Sequence, residues 1–132
     1  MKVFKFGGAS VKDAAGVRNV ADLLQSVGYE NTCMIVSAMG KTTNALEEVV
    51  KRYFENEDFE KTIEEVKAQH IDLAAELFDN PVEVSNEISQ FFDDIVSFLR
   101  RNKSPNYSYV YDQIVCCGEL ISTKIISMYL NS

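Results

Sequence analysis

The chain has 132 residues, of which 46% are hydrophobic and 25% are charged, a balance typical of one folded domain rather than of a disordered segment. Its 13 Lys and Arg against 20 Asp and Glu give a net charge of −7, which disfavours nucleic acid and anionic membrane surfaces as partners. No apolar run approaches the ~20 residues of a membrane helix, and no secretory signal opens the sequence. We therefore expect a cytoplasmic protein without a membrane or nucleic-acid partner.

The first elements in chain order are a strand, a glycine turn and a helix. Lys2–Phe6 is a short β-prone run that ends at Gly7 and Gly8, whose backbones have a freedom that other residues lack. Apolar positions then recur at helical spacing over residues 17–27, and Gly28 is expected to cap the end of that helix.

A second strand and a second helix follow. Thr32–Val36 is almost continuously apolar, which is typical of a strand covered on both faces in a parallel sheet. After a turn at residues 37–41, helical spacing resumes over residues 44–54. The order predicts a parallel βαβ unit with a further helix.

The remainder is predicted to be helical. Residues 58–79 carry one apolar stripe, which includes His70 as a packing residue, and Asn80 and Pro81 end it. Residues 88–99 form another stripe, and residues 107–130 are helical with a kink or boundary expected at Gly118. Because two strands cannot make a stable, doubly covered sheet, we expect an α/β fold with an incomplete sheet.

Cysteine usage fits a reducing compartment. Cys33, Cys116 and Cys117 are odd in number and lack the spacing of a metal site. We expect reduced and mostly buried thiols, with no metal-binding residues in the chain.

The first glycine turn has the pattern of a phosphate site. A strand, a glycine turn and a helix together bring backbone N–H groups and a helix N-terminus to an anion. Lys5, near the end of the strand, would place its ammonium at a transferring phosphoryl group, and Ser10 would add a hydroxyl donor. The alternative from the residues alone is an ordinary turn with a solvated lysine.

The second turn is not a P-loop. Gly40, Lys41 and Thr42 resemble the end of one, but the motif requires a glycine at position 35, which is Ile35 inside the strand. Ser37 and Thr43 remain as candidate ligand contacts at the carboxyl end of a strand. The alternative for Thr42 or Thr43 is helix capping, which we expect for at least one of them.

Glu119 is the third candidate. It follows Gly118 within an otherwise apolar stretch, where a carboxylate is costly without a cationic partner. Glu119 therefore either binds a cation or an amino group, or lies on a helix face turned to solvent.

Three separated segments together resemble the aspartokinases in their order and spacing. They are Lys5-Phe6-Gly7-Gly8-Ala9-Ser10-Val11, Val36-Ser37-Ala38-Met39-Gly40-Lys41-Thr42-Thr43-Asn44, and Gly118-Glu119-Leu120-Ile121-Ser122. The resemblance implies the amino-terminal part of the amino acid kinase fold, a short parallel βαβ unit with several helices. It also implies ATP-dependent phosphorylation of the side-chain carboxylate of L-aspartate, with Mg²⁺, on the route to lysine, methionine and threonine.

The resemblance also implies individual roles. Lys5 would stabilise the transferring phosphoryl group, and Gly7, Gly8 and Ser10 would cradle it. Ser37 and Thr43 would contact aspartate, and Glu119 would face its ammonium group. Ala9 departs from the threonine that is usual in the family, so one side-chain contact is missing.

Length is the larger departure. Aspartokinases continue with a nucleotide-binding half and regulatory ACT domains, so residues 1–132 correspond to the amino-terminal part of the catalytic domain, and we expect no kinase activity from them alone. Alternatives are another amino acid kinase, an aspartokinase fused to homoserine dehydrogenase, or a non-catalytic binding or interaction module. An incomplete sheet exposes an edge and apolar faces, so we also expect a homo-oligomer.

Overall fold

A computed structural model describes residues 1–132, and it has the predicted mixed α/β architecture with a short parallel sheet and several helices. The elements are β1 (Lys2–Phe6), α1 (Ala14–Val27), β2 (Thr32–Val36), α2 (Thr42–Phe54), α3 (Glu60–Leu77), α4 (Val82–Arg101), α5 (Tyr107–Val115) and α6 (Cys117–Leu130).

The two strands pair in parallel, and one face of their sheet is uncovered. Lys5 pairs with Ile35 and Phe6 with Val36. Phe6 and Val36 pack towards the helices, whereas Val3 and Ile35, on the other face, are 60% and 49% exposed. The prediction that β2 is covered on both faces is wrong for this chain, because its helices cover one face only.

Local signals in the sequence define the helices well. Gly28 ends α1 at a φ of +86°, as predicted, and the side chain of Asp13 caps its start by accepting from the Gly16 N–H at 2.8 Å. The predicted stripe of α3 is buried in full, from Ile63 to Leu77, and it includes His70.

The last helical stretch is divided, as predicted, although the break falls at Cys116 and Gly118 lies in the first turn of α6. By length and composition Tyr107–Leu130 is apolar enough to cross a membrane. The prediction that no apolar run approaches the length of a membrane helix was therefore wrong. Ile114, Ile121 and Ile125 of this stretch are buried in the protein core, and core helices pass the same test of length and composition.

The three thiols are free, but they are not mostly buried as expected. Cys33 and Cys116 are exposed and Cys117 is half-buried. Cys33 lies in register with Val3 on the uncovered sheet face, and Cys116 lies at the helix break. Burial raises the pKa of Cys117 to about 11, so this thiol stays protonated at neutral pH.

Candidate functional site

The first and second loops touch through their backbones. The Gly40 N–H donates to the Gly8 carbonyl at 3.1 Å. A Cβ added at Gly8 would lie 2.8 Å from the Ala38 carbonyl oxygen and 3.1 Å from that of Gly40. Only glycine therefore allows this approach, and the reason is space, because Gly8 has no positive φ.

The third motif packs on the second loop in the same manner. A Cβ added at Gly118 would lie 3.1 Å from Ala38 Cβ and 3.2 Å from Thr42 Cγ2. Gly118 thus lets α6 approach the start of α2, which is a packing role in addition to the nearby helix break. Residues 37–42 of the second motif therefore lie against Gly8 of the first motif and Gly118 of the third, so all three motifs meet.

The first loop offers unpaired backbone donors. The N–H groups of Gly7, Gly8 and Ala9 donate to no protein acceptor, whereas the Ser10 N–H bonds to the Gly7 carbonyl at 3.0 Å. Successive free N–H groups in a turn form an anion-binding concavity. The N-terminus of α1 does not contribute as the strand-turn-helix pattern suggests, because it starts beyond the loop and Asp13 already caps it.

Two further predicted residues flank this loop. Lys5 is exposed near the end of β1 and forms no ion pair within the chain. Ser37 extends the strand ladder, because its N–H donates to the Phe6 carbonyl at 3.0 Å. The Ser37 side chain is half-buried, and that of Ser10 is exposed.

Neither threonine of the second motif caps α2, so that expectation was wrong. The N-cap position is Lys41, which makes no side-chain capping bond. Thr42 is buried, and its hydroxyl donates to the Met39 carbonyl at 2.6 Å. The N–H groups of Thr43 and Asn44 consequently have no acceptor in the protein, and the N-terminus of α2 is open to a ligand anion.

Thr43 and Glu119, far apart in sequence, line one cleft of about 380 Å³. Glu119 is exposed and forms no ion pair, so its carboxylate is free to meet a cation in the cleft. The other lining residues are Tyr111, Asp112, Val115 and Cys116.

Sequence reasoning missed Tyr111 and Asp112. Asp112 precedes Glu119 by seven residues, about two helical turns, and this spacing was the available signal for a shared face. The Tyr111 hydroxyl donates to the Glu47 carboxylate at 3.2 Å. Partial desolvation and then this bond raise the pKa of Tyr111, so the phenol stays neutral.

His70 lies behind the second loop as a buried packing residue. Its Nδ1 donates to the Val66 carbonyl at 2.8 Å, which leaves Nε2 as the acceptor nitrogen, 3.5 Å from Thr42 Oγ1. Burial lowers the pKa of His70, so the ring is neutral at pH 7. Nowhere in the chain are three or more His, Cys, Asp or Glu side chains grouped to hold a metal ion.

The sequence resembles aspartokinases over nearly its whole length. It is 31% identical over 134 residues to the chloroplastic aspartokinase 1 of Arabidopsis thaliana, a match that covers 98% of the chain and 23% of the relative. The bifunctional aspartokinase/homoserine dehydrogenase 2 of Escherichia coli is 28% identical, with 98% and 16% covered. The chain thus spans about a quarter or less of the length of these curated relatives.

Solved structures have the same fold. Escherichia coli aspartokinase III in complex with aspartate and ADP superposes with a TM-score of 0.79 at 21% identity, over 99% of this chain and 29% of that one. The aspartate kinase of Clostridium acetobutylicum gives 0.78 at 21% identity, over 100% and 30%. The model of the amino acid kinase family matches residues 1–132. Together with the three motifs that meet at the second loop, these similarities confirm the predicted resemblance to aspartokinases, and the chain belongs to the amino acid kinase family.

Proposed function

We propose that the protein carrying this chain transfers the γ-phosphoryl group of ATP to the side-chain carboxylate of L-aspartate, forming 4-phospho-L-aspartate, the first step towards lysine, methionine and threonine. The observation that carries the proposal is the meeting of the three motifs, in which Gly8 and Gly118 both lie against residues 37–42. This packing joins a loop of free N–H groups to a cleft that contains carboxylates. The two features suit the anionic and cationic groups of these substrates.

The first loop would receive the phosphoryl group. The free N–H groups of Gly7 and Gly8 would bind its oxygens, the Ser10 hydroxyl would add a donor, and the Lys5 ammonium would offset the developing charge. Phosphoryl transfer requires positioning and charge neutralisation more than a strong base. The absence of an acid–base dyad from this loop is therefore compatible with the proposed chemistry.

The cleft would receive aspartate. The open N-terminus of α2, with the free N–H and the hydroxyl of Thr43, suits a carboxylate. Glu119 would meet the ammonium group, and Asp112 adds negative charge on the same side. Ser37, directly after β2, would contact the substrate between the cleft and the phosphoryl site.

ATP and Mg²⁺ would be shared with residues outside this chain. No set of three carboxylates is grouped here, and Mg²⁺ is commonly held by substrate phosphates with one or two carboxylates, so the ion would be bound with the triphosphate. The chain offers no assigned site for the adenosine. We accordingly propose that residues 1–132 alone do not form aspartyl phosphate.

Calorimetry with L-aspartate tests the cleft directly. Glu119→Gln should weaken aspartate binding at least about tenfold, since one charge-assisted bond of ~1.5 kcal/mol or more is lost. Glu83→Gln is the matched control, because Glu83 is also an exposed glutamate in the first turn of a helix. Equal aspartate affinity in the two variants, or no binding by the unmodified chain, would contradict the assignment.

A further inference from the structure

Thr42 connects the second loop to α6, and no substrate role is assigned to it. The side chain is 4% exposed, and both of its branches are engaged. The hydroxyl donates to the Met39 carbonyl at 2.6 Å. The methyl carbon lies 3.2 Å from the point where a Cβ on Gly118 would stand.

We propose that Thr42 is a positioning residue that sets the separation and orientation of Thr43 and Glu119 across the cleft. The inference rests on the proposed function, because it concerns the same aspartate site. Thr43 follows Thr42 directly in α2, and Glu119 follows Gly118 directly in α6. The contact between Thr42 and Gly118 is therefore one residue away from each of the two cleft side chains.

The hydroxyl of Thr42 orients the first turn of α2. The hydroxyl and the backbone N–H of Thr42 both donate to the Met39 carbonyl, at 2.6 and 3.0 Å. Two hydrogen bonds to one carbonyl oxygen therefore stabilise this turn. The hydroxyl has one proton, which it gives to Met39. The Nε2 of His70 lies 3.5 Å from the same oxygen, so His70 packs against Thr42 from the α3 side.

The methyl group of Thr42 sets how closely α2 and α6 approach. The distances of 3.1 Å to Ala38 and 3.2 Å to Thr42 from a Cβ on Gly118 are tighter than ordinary contacts, so an added methyl group would force the two elements apart. Loss of the Thr42 methyl group would instead leave a gap into which α6 can move. Either change alters the distance between Thr43 and Glu119.

Four variants separate these contributions. Thr42→Val keeps the shape and removes the hydroxyl, Thr42→Ser keeps the hydroxyl and removes the methyl group, and Gly118→Ala adds a methyl group on the facing side. The fourth variant combines Thr42→Ser with Gly118→Ala. Thr62→Val and Thr62→Ser are matched controls on α3, where the half-buried Thr62 makes no side-chain hydrogen bond.

The affinity of each variant for L-aspartate is measured by calorimetry, with urea denaturation to verify folding. Weakening of one hydrogen bond to aspartate costs about 1 kcal/mol, which corresponds to about fivefold in affinity, so the three single variants should bind about three- to tenfold more weakly. The double variant should bind aspartate more tightly than Gly118→Ala alone, because removal of the Thr42 methyl group relieves one of its clashes. Because Thr42 and Gly118 are in contact, their effects on stability need not add, so the comparison uses only variants that urea denaturation shows to be folded.

The two proposals fail in different ways. If folded Thr42→Val and Thr42→Ser bind aspartate as tightly as the unmodified chain while Glu119→Gln still weakens binding, the positioning role is overturned and the proposed function is left intact. No aspartate binding by the unmodified chain, or unchanged binding in Glu119→Gln, overturns the proposed function and this inference together. The Thr42 variants decide the matter even if Gly118→Ala does not fold.

Discussion

The two adjacent glycines of the first loop should respond very differently to alanine. In Gly8→Ala the new Cβ would lie 2.8 and 3.1 Å from two carbonyl oxygens, and because both belong to the backbone, neither can rotate away. Overpacking of this kind costs ~1–3 kcal/mol, and loss of the bond between the Gly40 N–H and the Gly8 carbonyl costs about 1 kcal/mol more. We expect the free energy of unfolding to fall by ~2–4 kcal/mol in total.

Gly7→Ala is the matched control for this experiment. No atom lies within 4 Å of a Cβ added at Gly7, and its φ is not positive, so alanine fits without strain. By restricting the unfolded chain it should stabilise the protein by ~0.4–1 kcal/mol.

Urea denaturation followed by circular dichroism compares the Gly7→Ala and Gly8→Ala variants. Equal midpoints for the two variants, or a Gly8→Ala protein as stable as the unmodified chain, would refute the argument that close backbone contact requires glycine at position 8.

Three other predictions concern separate parts of the molecule. Ser122→Ala should leave stability unchanged or raise it by about 1 kcal/mol in urea denaturation, since the buried Ser122 hydroxyl has no partner; a marked loss would reveal a missed bond. Burial lowers the pKa of His70 below 6.5, so the unfolded chain binds more protons, and the free energy of unfolding should fall as the pH drops from ~6.5 to 5.5. His70→Gln should remove this decrease. If the free energy of unfolding depends on pH in the same way in His70→Gln as in the unmodified chain, the prediction is wrong. The uncovered sheet face should promote self-association in light scattering, which Ile35→Thr should reduce; a monodisperse unmodified monomer would count against it.

The elements could be predicted from the sequence because their signals are local. The stripe of α3 repeats every three or four residues, and the same residues are buried in the structure. Gly28 could be recognised as a cap because the end of a helix requires a conformation that glycine adopts readily. The βαβ order followed from the apolar run of β2 and the helix before it.

The predictions that were wrong depended on which residues come into contact in the folded protein, and a local sequence pattern cannot identify these contacts. Thr42 and Thr43 occupy the start of a helix, as capping residues do, but the Thr42 hydroxyl turns back to Met39. The apolar run of β2 suggested two covered faces, whereas the helices of this chain lie on one. Cys33 is exposed for the same reason, because it shares the uncovered face with Val3.

The sequence by itself determined the helices, the parallel strand pair and the three motifs, because periodicity, glycine placement and motif order depend only on the order of residues in the chain. Only the tertiary structure decided what the glycines of those motifs are for. Gly8 and Gly118 are separated by about a hundred residues, yet both meet the same short segment so closely that a Cβ would be excluded at Gly8 and crowded at Gly118. Which atoms approach so closely depends on how the helices pack in three dimensions, and that packing also brings Thr43 and Glu119 into one cleft.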